Sequence, residues 1–293
     1  MKAKSLVLLV VLGCVWGPAF MFMKTAIGSF PPITTAAIRV TLATATLFIA
    51  TRIMRISVTG QFKKRWKHYA VMGFFASAFP FCLFPTAVEY IPSSVAGILN
   101  ATTPIFTCIL AHYVASEPFT HRKFLGVLGG LAGVLFIYLP KIQDQKLGDE
   151  VGILLAIIGA LSEAIGMVYA KRHFKDVPFL VAPMWQLFFA MIYLIPASLI
   201  LDQSFHLAPP THQAVVAILG LGIMSTALSF AIYYMILREA GASYLSMSTL
   251  FFPIVAIILG YIFLNEQLSW QTFVGTGLIL SGLFISSPIF KKT

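Results

Sequence analysis

Ten apolar segments of about 20 residues each dominate this chain of 293 residues. A helix of about 20 residues crosses the roughly 30 Å hydrocarbon core of a bilayer. The segments lack the strict alternation of a membrane β-strand, so helices are the element that can satisfy their backbone in lipid. The sequence therefore predicts an all-α membrane protein with ten transmembrane helices. They cover roughly 5–24, 33–51, 68–87, 93–114, 122–140, 151–170, 179–200, 212–236, 243–264 and 270–289.

Charge is scarce and unevenly placed. Only 10% of the residues are charged, against roughly 25% in soluble domains. With a cytoplasmic N-terminus, only Lys24, Lys141 and Lys146 would fall outside, and most other cations would fall inside. Because cytoplasmic segments carry the excess of Lys and Arg, we expect both termini in the cytoplasm of a bacterial inner membrane. We therefore interpret the net charge of +10 as a topological signal. The expected partner is the lipid bilayer, and no nucleic-acid partner is expected. The basic run 63–67 is interpreted first as an orientation anchor.

The chain repeats itself once. Four pairs of identical residues are each separated by 149 positions: Pro104 and Pro253, Glu117 and Glu266, Gly126 and Gly275, Gly133 and Gly282. Apolar composition explains matches of Leu with Leu, but not coincident Pro, Glu and Gly. Internal duplication of hydrophobic segments is typical of secondary transporters, whose substrate site lies between the repeats.

Each copy contains five spans, and an odd number of crossings makes the second copy enter the membrane from the opposite side. We therefore predict two inverted five-helix repeats around a central cavity, at residues 1–140 and 151–293. An external linker, 141–150, would join them. Two similar halves that face opposite ways can exchange conformations and give alternating access.

Matched residues of the two copies are candidates for gating. Pro104 and Pro253 fall within predicted spans, where proline removes a backbone hydrogen bond, and we expect them to act as symmetric hinges. Glu117 and Glu266 fall at helix ends, where they would brace neighbouring helices or take part in gating. Glycines four residues apart in the first and fifth spans predict close approach of helix backbones.

Several of these residues together resemble the EamA-type transporters of the drug/metabolite transporter superfamily. The resemblance lies in the Trp16-Gly17 segment, the stretch from Pro31-Pro32 to Arg39, and the series Pro104-Ile105, Glu117-Pro118, Gly126 and Gly133 with its second copy. The second copy lacks the Trp-Gly pair. The resemblance implies a ten-helix exporter of small metabolites, often amino acids, with a cavity between the halves.

Glu163 lies near the middle of the sixth span with apolar neighbours. A carboxylate at that depth is costly and commonly marks an ion or proton pathway, so Glu163 is a candidate for substrate binding and for proton coupling. The alternative is a structural ion pair or hydrogen bond to a neighbouring helix.

Arg39 lies about six residues into the second span. Its guanidinium could bind a substrate carboxylate bidentately. It could also extend outward to the membrane surface or fix a helix end, because six residues of helix give only about 9 Å of depth.

Five further residues are candidates for contact with substrate, each with packing or helix-to-helix bonding as the alternative. Aromatic and amide side chains inside spans could offer an apolar wall and polar contacts. They are Trp16, Asn100, Trp185, Gln186 and Tyr244.

The sequence carries no metal-binding, nucleotide-binding or nucleophile motif of the common kinds. An enzyme is therefore disfavoured, and no cofactor, metal or obligate protein partner is expected. The leading hypothesis is gradient-driven export of a small molecule, with amino acids, including aromatic or other neutral ones, as the first class and protons as a candidate coupling ion. The alternatives are a multidrug exporter of amphipathic cations, and a membrane scaffold or passive channel.

Overall fold

A computed structural model shows how these segments fold. It describes residues 2–60, 62–91, 93–118, 120–143, 150–204, 209–251, 254–255, 258 and 270–286. All regular elements in these ranges are helical. The α-helices, numbered here in chain order from α1 to α14, are Lys2–Trp16, Ala19–Ile27, Pro32–Ile53, Phe62–Gly73, Phe79–Tyr90, Ser93–Asn100, Thr103–Ala115, His121–Gln143, Glu150–His173, Val181–Leu201, His212–Leu219, Ser229–Ala240, Ala242–Leu245 and Trp270–Ser286.

Six helical stretches of the described residues are long and apolar enough to cross a membrane. They are Lys4–Ile27, Pro32–Ile53, Phe62–Tyr90, Glu150–His173, Val181–Leu201 and His212–Ala240. These stretches confirm the prediction of an all-helical membrane protein. Each contains one of the predicted spans almost entirely, and the third and eighth extend a turn or more beyond the predicted bounds.

The predicted fourth span is two shorter helices in the structure. Helix α6 ends at Asn100, and α7 begins at Thr103. Pro104 has no N–H to donate to the Asn100 carbonyl, and the Thr103 hydroxyl donates to that carbonyl instead, at 2.7 Å. Pro104 therefore lies in the first turn of a new helix, where proline is well tolerated, and not at a kink inside a continuous one.

The third and eighth spans each contain a π-helical segment, at Phe74–Ala78 and Gly220–Leu228. The first segment ends just before Pro80, whose missing N–H favours the wider turn. Shifting 74–78 by 149 positions gives 223–227, which lies inside the second segment. The two irregularities therefore occupy corresponding places in the chain.

One pair of helix starts follows the same offset. Helices α3 and α10 begin at Pro32 and Val181, which are 149 positions apart. Unlike the sequence identities, this coincidence concerns where an element starts.

Glycines bring the backbones of α8 and α14 into direct contact. A methyl group added at Gly133 would meet the backbone of Gly275, and one added at Gly282 would meet the backbone of Gly126. The contacts run in opposite order along the two helices, so α8 and α14 are antiparallel. The predicted close approach of helix backbones is thereby confirmed for the fifth span. In the first span, Gly13 packs against the side chain of Phe251.

Candidate functional site

The described helices surround a central cavity of about 720 Å³, a volume that includes the part open to solvent. Residues from both halves of the chain line it. They are Trp16, Ala19, Met23, Arg39, Ala76, Phe81, Phe84, Pro85, Asn100, Glu163, Met167, Phe230, Tyr233 and Thr249. The cavity therefore brings together Trp16, Arg39, Asn100 and Glu163, four of the side chains that the sequence singled out.

Arg39 lines the cavity from the first third of α3 and is held from two sides. Its Nε donates a hydrogen bond to the Thr226 hydroxyl at 2.7 Å, and its guanidinium carbon lies 3.7 Å from the centroid of the Phe81 ring. A cation over an aromatic face is stabilised by the ring's quadrupole. These contacts orient the guanidinium and leave its terminal nitrogens available to the cavity. The side chain therefore does not extend outward to the membrane surface, which was the alternative.

Glu163 enters the cavity from α9. No hydrogen bond or ion pair joins its carboxylate to the described residues, and it interacts electrostatically with Arg39 across the cavity. The structural ion pair considered as an alternative is therefore absent among those residues. One cavity thus presents a cation and an anion to the same volume without pairing them directly.

Aromatic rings form a connected part of the cavity wall. Trp16 meets Tyr233 edge to face at 6.3 Å, Phe230 stacks on Tyr233 at 5.4 Å, and Phe81 meets Phe230 edge to face at 6.3 Å. The buried Tyr233 hydroxyl has no hydrogen-bond partner among the described residues. An apolar wall with one spare hydroxyl suits an amphipathic ligand.

Asn100 lies at the helix break between α6 and α7. Its side-chain oxygen accepts a hydrogen bond from the Thr103 hydroxyl at 3.0 Å, and the residue is 4% exposed. Thr249, which also lines the cavity, lies in the 3-10 stretch Ser246–Phe251 of the ninth span. Irregular backbone at membrane depth is tolerated where it lines a cavity, and in transporters it commonly marks the binding site.

Three pairs of cavity residues are separated by 149 positions. They are Phe81 and Phe230, Phe84 and Tyr233, and Asn100 and Thr249. Equivalent positions of the two halves therefore face the same space. The charged residues do not follow this pattern, because Phe188 stands at the position equivalent to Arg39 and Cys14 at the position equivalent to Glu163.

Trp185, Gln186 and Tyr244 do not line the cavity among the described residues. The Trp185 indole donates to the Val58 carbonyl at 2.9 Å. Gln186, fully buried, donates to the Ser77 hydroxyl at 2.8 Å and accepts from the Tyr234 hydroxyl at 2.6 Å. The structure gives these side chains places in the packed interior, so we leave them out of the proposed site.

Glu117 joins the two halves of the chain. One carboxylate oxygen accepts from the backbone N–H of Ala242 at 2.6 Å, and the other accepts from the Ser243 hydroxyl at 2.7 Å and the Lys123 ammonium at 3.4 Å. Gly241, which precedes this helix start, has φ +92° and leaves no room for a side chain beside Glu117. Glu117 thus braces the start of α13 as well as the following helix, α8.

The partners of Glu117 determine its ionisation. It lies outside the membrane-spanning segments, and although burial by itself raises its pKa, the hydrogen bonds from Ser243 and Ala242 and the charge of Lys123 lower the pKa below its ordinary value of 4.5. Its carboxylate is therefore ionised at neutral pH. The matched residues Pro253 and Glu266 lie outside the described residues, and their predicted roles stay predictions.

Sequence reasoning missed the aromatic lining, namely Phe81, Phe84, Phe230 and Tyr233. Aromatic residues in membrane helices are usually packing, so each ring alone gives no signal. The offset of 149 could have identified them, because aromatic pairs at corresponding positions on the third and eighth spans indicate a shared environment.

The family model for the EamA-like transporter family matches the chain twice, at residues 3–139 and 150–287. The chain belongs to this family. It is 27% identical over 278 residues to the uncharacterized transporter YoaV of Bacillus subtilis strain 168, covering 95% of this chain and 94% of that protein.

Two other comparisons extend this result. The chain is 24% identical over 296 residues to a probable amino-acid metabolite efflux pump of Escherichia coli K12, covering 98% and 95% of the two proteins. A solved crystal structure superposes with a TM-score of 0.78 at 19% identity, over 98% of this chain and 97% of the other, and shows the same fold. The protein is a multi-pass membrane transporter and not an enzyme.

Proposed function

We propose that this protein is a secondary transporter that exports small metabolites, with amino acids, including aromatic or other neutral ones, as the leading class. The observation that carries the proposal is the pair of Arg39 and Glu163 in one aromatic cavity without a direct bond between them. A free amino acid carries a carboxylate for the guanidinium and an ammonium for the carboxylate. Its side chain would lie against the rings of Trp16, Phe230 and Tyr233.

The proposed architecture is ten transmembrane helices in two inverted five-helix repeats, residues 1–140 and 151–293, with an external linker at 141–150. Three observations support it: the starts of α3 and α10, which are 149 positions apart, the cavity residues at the same separation, and the antiparallel contact of α8 with α14. Inversion requires the last helices of the two copies to run in opposite directions, as these two do.

Alternating access is the proposed mechanism. The break between α6 and α7 and the π-helical segments of the third and eighth spans are places where helices can bend without losing a full turn of hydrogen bonds. Glu117 would hold one end of the cavity closed by binding the start of α13. Release of Ala242 and Ser243 from Glu117 would accompany opening at that end.

The proposed location is a bacterial inner membrane with both termini in the cytoplasm. The distribution of Lys and Arg supports this orientation, which places Glu117 and Ser243 on the cytoplasmic side. The cavity residues of α2 and α3 then lie toward the outside. Protons are the proposed coupling ion, with Glu163 as the group that would bind them.

A second candidate is export of amphipathic cations. The carboxylate of Glu163 beside aromatic rings favours it, because both groups attract a desolvated cation. In that case Arg39 would oppose binding, whereas in amino-acid transport it would contribute to binding.

Uptake into proteoliposomes tests both candidates. Purified protein would be reconstituted and supplied with labelled amino acids or with a labelled hydrophobic cation, with and without an imposed pH gradient. Saturable amino-acid uptake that unlabelled amino acids compete with is the expected result. Cation uptake without amino-acid uptake would replace the first proposal with the second, and no flux above that of empty liposomes by folded protein would contradict both.

A further inference from the structure

A second cavity lies between the first turns of α4 and the end of α9. Two lysines and two arginines line it with two histidines and one aspartate. We call this set the basic pocket: Lys64, Arg65, His68, Arg172, His173, Lys175 and Asp176. Neither the central site nor the proposed gating uses any of its members.

The basic pocket is a built arrangement of side chains. The rings of His68 and His173 stack at 4.4 Å, and both are held by Tyr169: its hydroxyl lies 2.7 Å from Nδ1 of His68, and its carbonyl accepts from Nδ1 of His173 at 3.0 Å. Arg65 donates from one terminal nitrogen to the His173 carbonyl. The imidazoles and the guanidinium are thus fixed in place before any ligand binds.

Charge in the basic pocket is not balanced by the protein. Four permanent cations face one carboxylate, that of Asp176, which lies 3.8 Å from Arg65 and is 83% exposed. The buried Nε of Arg65 has no hydrogen-bond partner among the described residues. An unused donor among converging cations is the chemistry that binds phosphate.

A topological signal does not account for this convergence. That signal depends on the number of Lys and Arg near the ends of each span, and it needs no contact between them. Arg65 and Arg172 are 107 positions apart in sequence but line one cavity. Their convergence therefore requires another cause, such as a shared ligand.

The position of the basic pocket favours a lipid over a soluble anion. It lies at the ends of two membrane-spanning stretches, Phe62–Tyr90 and Glu150–His173, where a bilayer meets water. Trp66, next to Arg65, is 46% exposed, with the Lys67 ammonium 5.8 Å from its ring centroid. An exposed Trp beside Lys is the usual composition of a helix at headgroup level.

We propose that the basic pocket binds the phosphate group of an anionic membrane lipid, such as phosphatidylglycerol. The phosphodiester would lie against Arg65 and Arg172, with Lys64 and Lys175 at the mouth, while the acyl chains follow the apolar surface of α4 and α9. Basic pockets between transmembrane helices bind lipid headgroups in this way. The proposal requires only a membrane protein, and it holds whether or not the transport proposal is correct.

The test measures lipid binding directly and needs no transport. Delipidated protein in detergent would be titrated with phosphatidylglycerol or phosphatidylcholine and examined by native mass spectrometry. The double variant Lys64→Gln/Lys175→Gln is suitable because neither ammonium forms a hydrogen bond or ion pair with the described residues. We expect it to bind phosphatidylglycerol about thirtyfold more weakly, since the loss of each cation near an anionic lipid weakens binding roughly fivefold.

The matched control is Lys63→Gln/Lys67→Gln, which removes the same number of charges from α4 at positions outside the basic pocket. It should bind phosphatidylglycerol like the unmodified protein. Equal weakening in both double variants, or no preference for phosphatidylglycerol over phosphatidylcholine, would overturn the proposal. If inorganic phosphate at millimolar concentration displaced the lipid and raised the thermal unfolding temperature as much as phosphatidylglycerol does, the ligand would be a soluble phosphate and the lipid assignment would be wrong.

Discussion

The carboxylate of Glu117 accepts two hydrogen bonds from Ser243, one from its hydroxyl at 2.7 Å and one from its backbone N–H at 3.2 Å. These residues belong to different halves of the chain and are 126 positions apart. Because the bonds connect the end of the fourth span with the start of the ninth, they resist separation of the halves at this end of the bundle.

Glu117→Gln should lower the thermal unfolding temperature of the purified protein in detergent. The amide keeps the shape of the carboxylate, but its NH₂ group cannot accept a hydrogen bond, and the attraction to Lys123 is lost. We expect a cost of about 1.5–3 kcal/mol, the range for hydrogen bonds to a charged group. Glu89→Gln, at an exposed position, is the matched control and should leave the temperature unchanged.

The stabilisation by Glu117 should also depend on pH. Its folded pKa lies below the unfolded value, so the contribution is fully present above the unfolded pKa and is lost as pH falls through the folded pKa. The unfolding temperatures of the native protein and of Glu117→Gln should therefore converge as pH falls below about 4. A constant difference between the two proteins down to pH 3 would contradict the assignment.

Arg39→Lys should reduce amino-acid uptake about tenfold or more, because one charge-assisted hydrogen bond contributes about 1.5–3 kcal/mol. Lysine keeps the positive charge but cannot bond Thr226 and a substrate carboxylate in the same geometry. Initial uptake rates in proteoliposomes, normalised to reconstituted protein, would measure the effect. The control is Arg52→Lys, at an exposed position on the same helix, and this variant should transport amino acids normally. An unchanged uptake rate for Arg39→Lys would exclude substrate binding by Arg39.

Glu163→Gln should abolish the stimulation of uptake by a pH gradient, because the amide binds no proton near neutral pH. It should also raise the KM for amino acids about tenfold, because the amide has no negative charge to attract the substrate ammonium. The measurement is uptake over a range of substrate concentrations with and without the gradient. Glu150→Gln, at the exposed start of the same helix, is the control. Retained stimulation in Glu163→Gln would assign proton coupling to another group.

Thr103→Val should destabilise the helix break beside the cavity. The hydroxyl of Thr103 is the donor that satisfies the Asn100 carbonyl, and valine has the same shape without it, so the expected cost is about 1–3 kcal/mol. Thr107→Val, one turn further along α7, removes a hydroxyl whose acceptor is the Thr103 carbonyl inside a regular helix. Thr107→Val, the control, should lower the unfolding temperature less than Thr103→Val does. Equal effects would show that the Thr103 hydroxyl does not specifically stabilise the helix break.

Gly133→Ala should destabilise the protein by about 1–3 kcal/mol because an added methyl group meets the backbone of α14. Gly277→Ala, on α14, places its methyl group in open space and should be neutral or slightly stabilising, as alanine is the better helix former. Thermal unfolding of the two variants gives the comparison. Equal unfolding temperatures would mean that the two helices can separate without cost.

Much of the helical framework could be predicted because its cause is local. A run of about 20 apolar residues has one stable form in lipid, and the bounds of the span predicted at 179–200 differ from Val181–Leu201 by two residues or fewer. The position at which the fourth span divides into two helices could not be predicted in this way. The division depends on the Thr103 hydroxyl, which donates to the Asn100 carbonyl in place of the N–H that Pro104 lacks. In sequence, a Pro inside an apolar run is equally consistent with a kinked, continuous helix.

The cavity was predictable for its charged members but, apart from Trp16, not for its aromatic wall. Glu163 and Arg39 stand out because charge is costly in a membrane core, so the sequence alone suggests a reason for their presence. Phe230 and Trp185 look equivalent in sequence, yet one lines the cavity and the other is packed near Val58. Which ring faces the open space depends on helix rotation within the bundle, and the pattern along a helix surrounded by apolar neighbours does not determine that rotation.

The backbone contact between α8 and α14 also restricts where residues can be inserted into the chain or deleted from it. One added residue turns an α-helix by about 100°, which would carry a glycine away from its partner and put a larger side chain against the opposing main chain. The spacing from Gly126 to Gly133 equals that from Gly275 to Gly282, at seven residues in each helix. Insertions and deletions should therefore be excluded from these two stretches, whereas substitutions on their lipid-facing sides are free to accumulate.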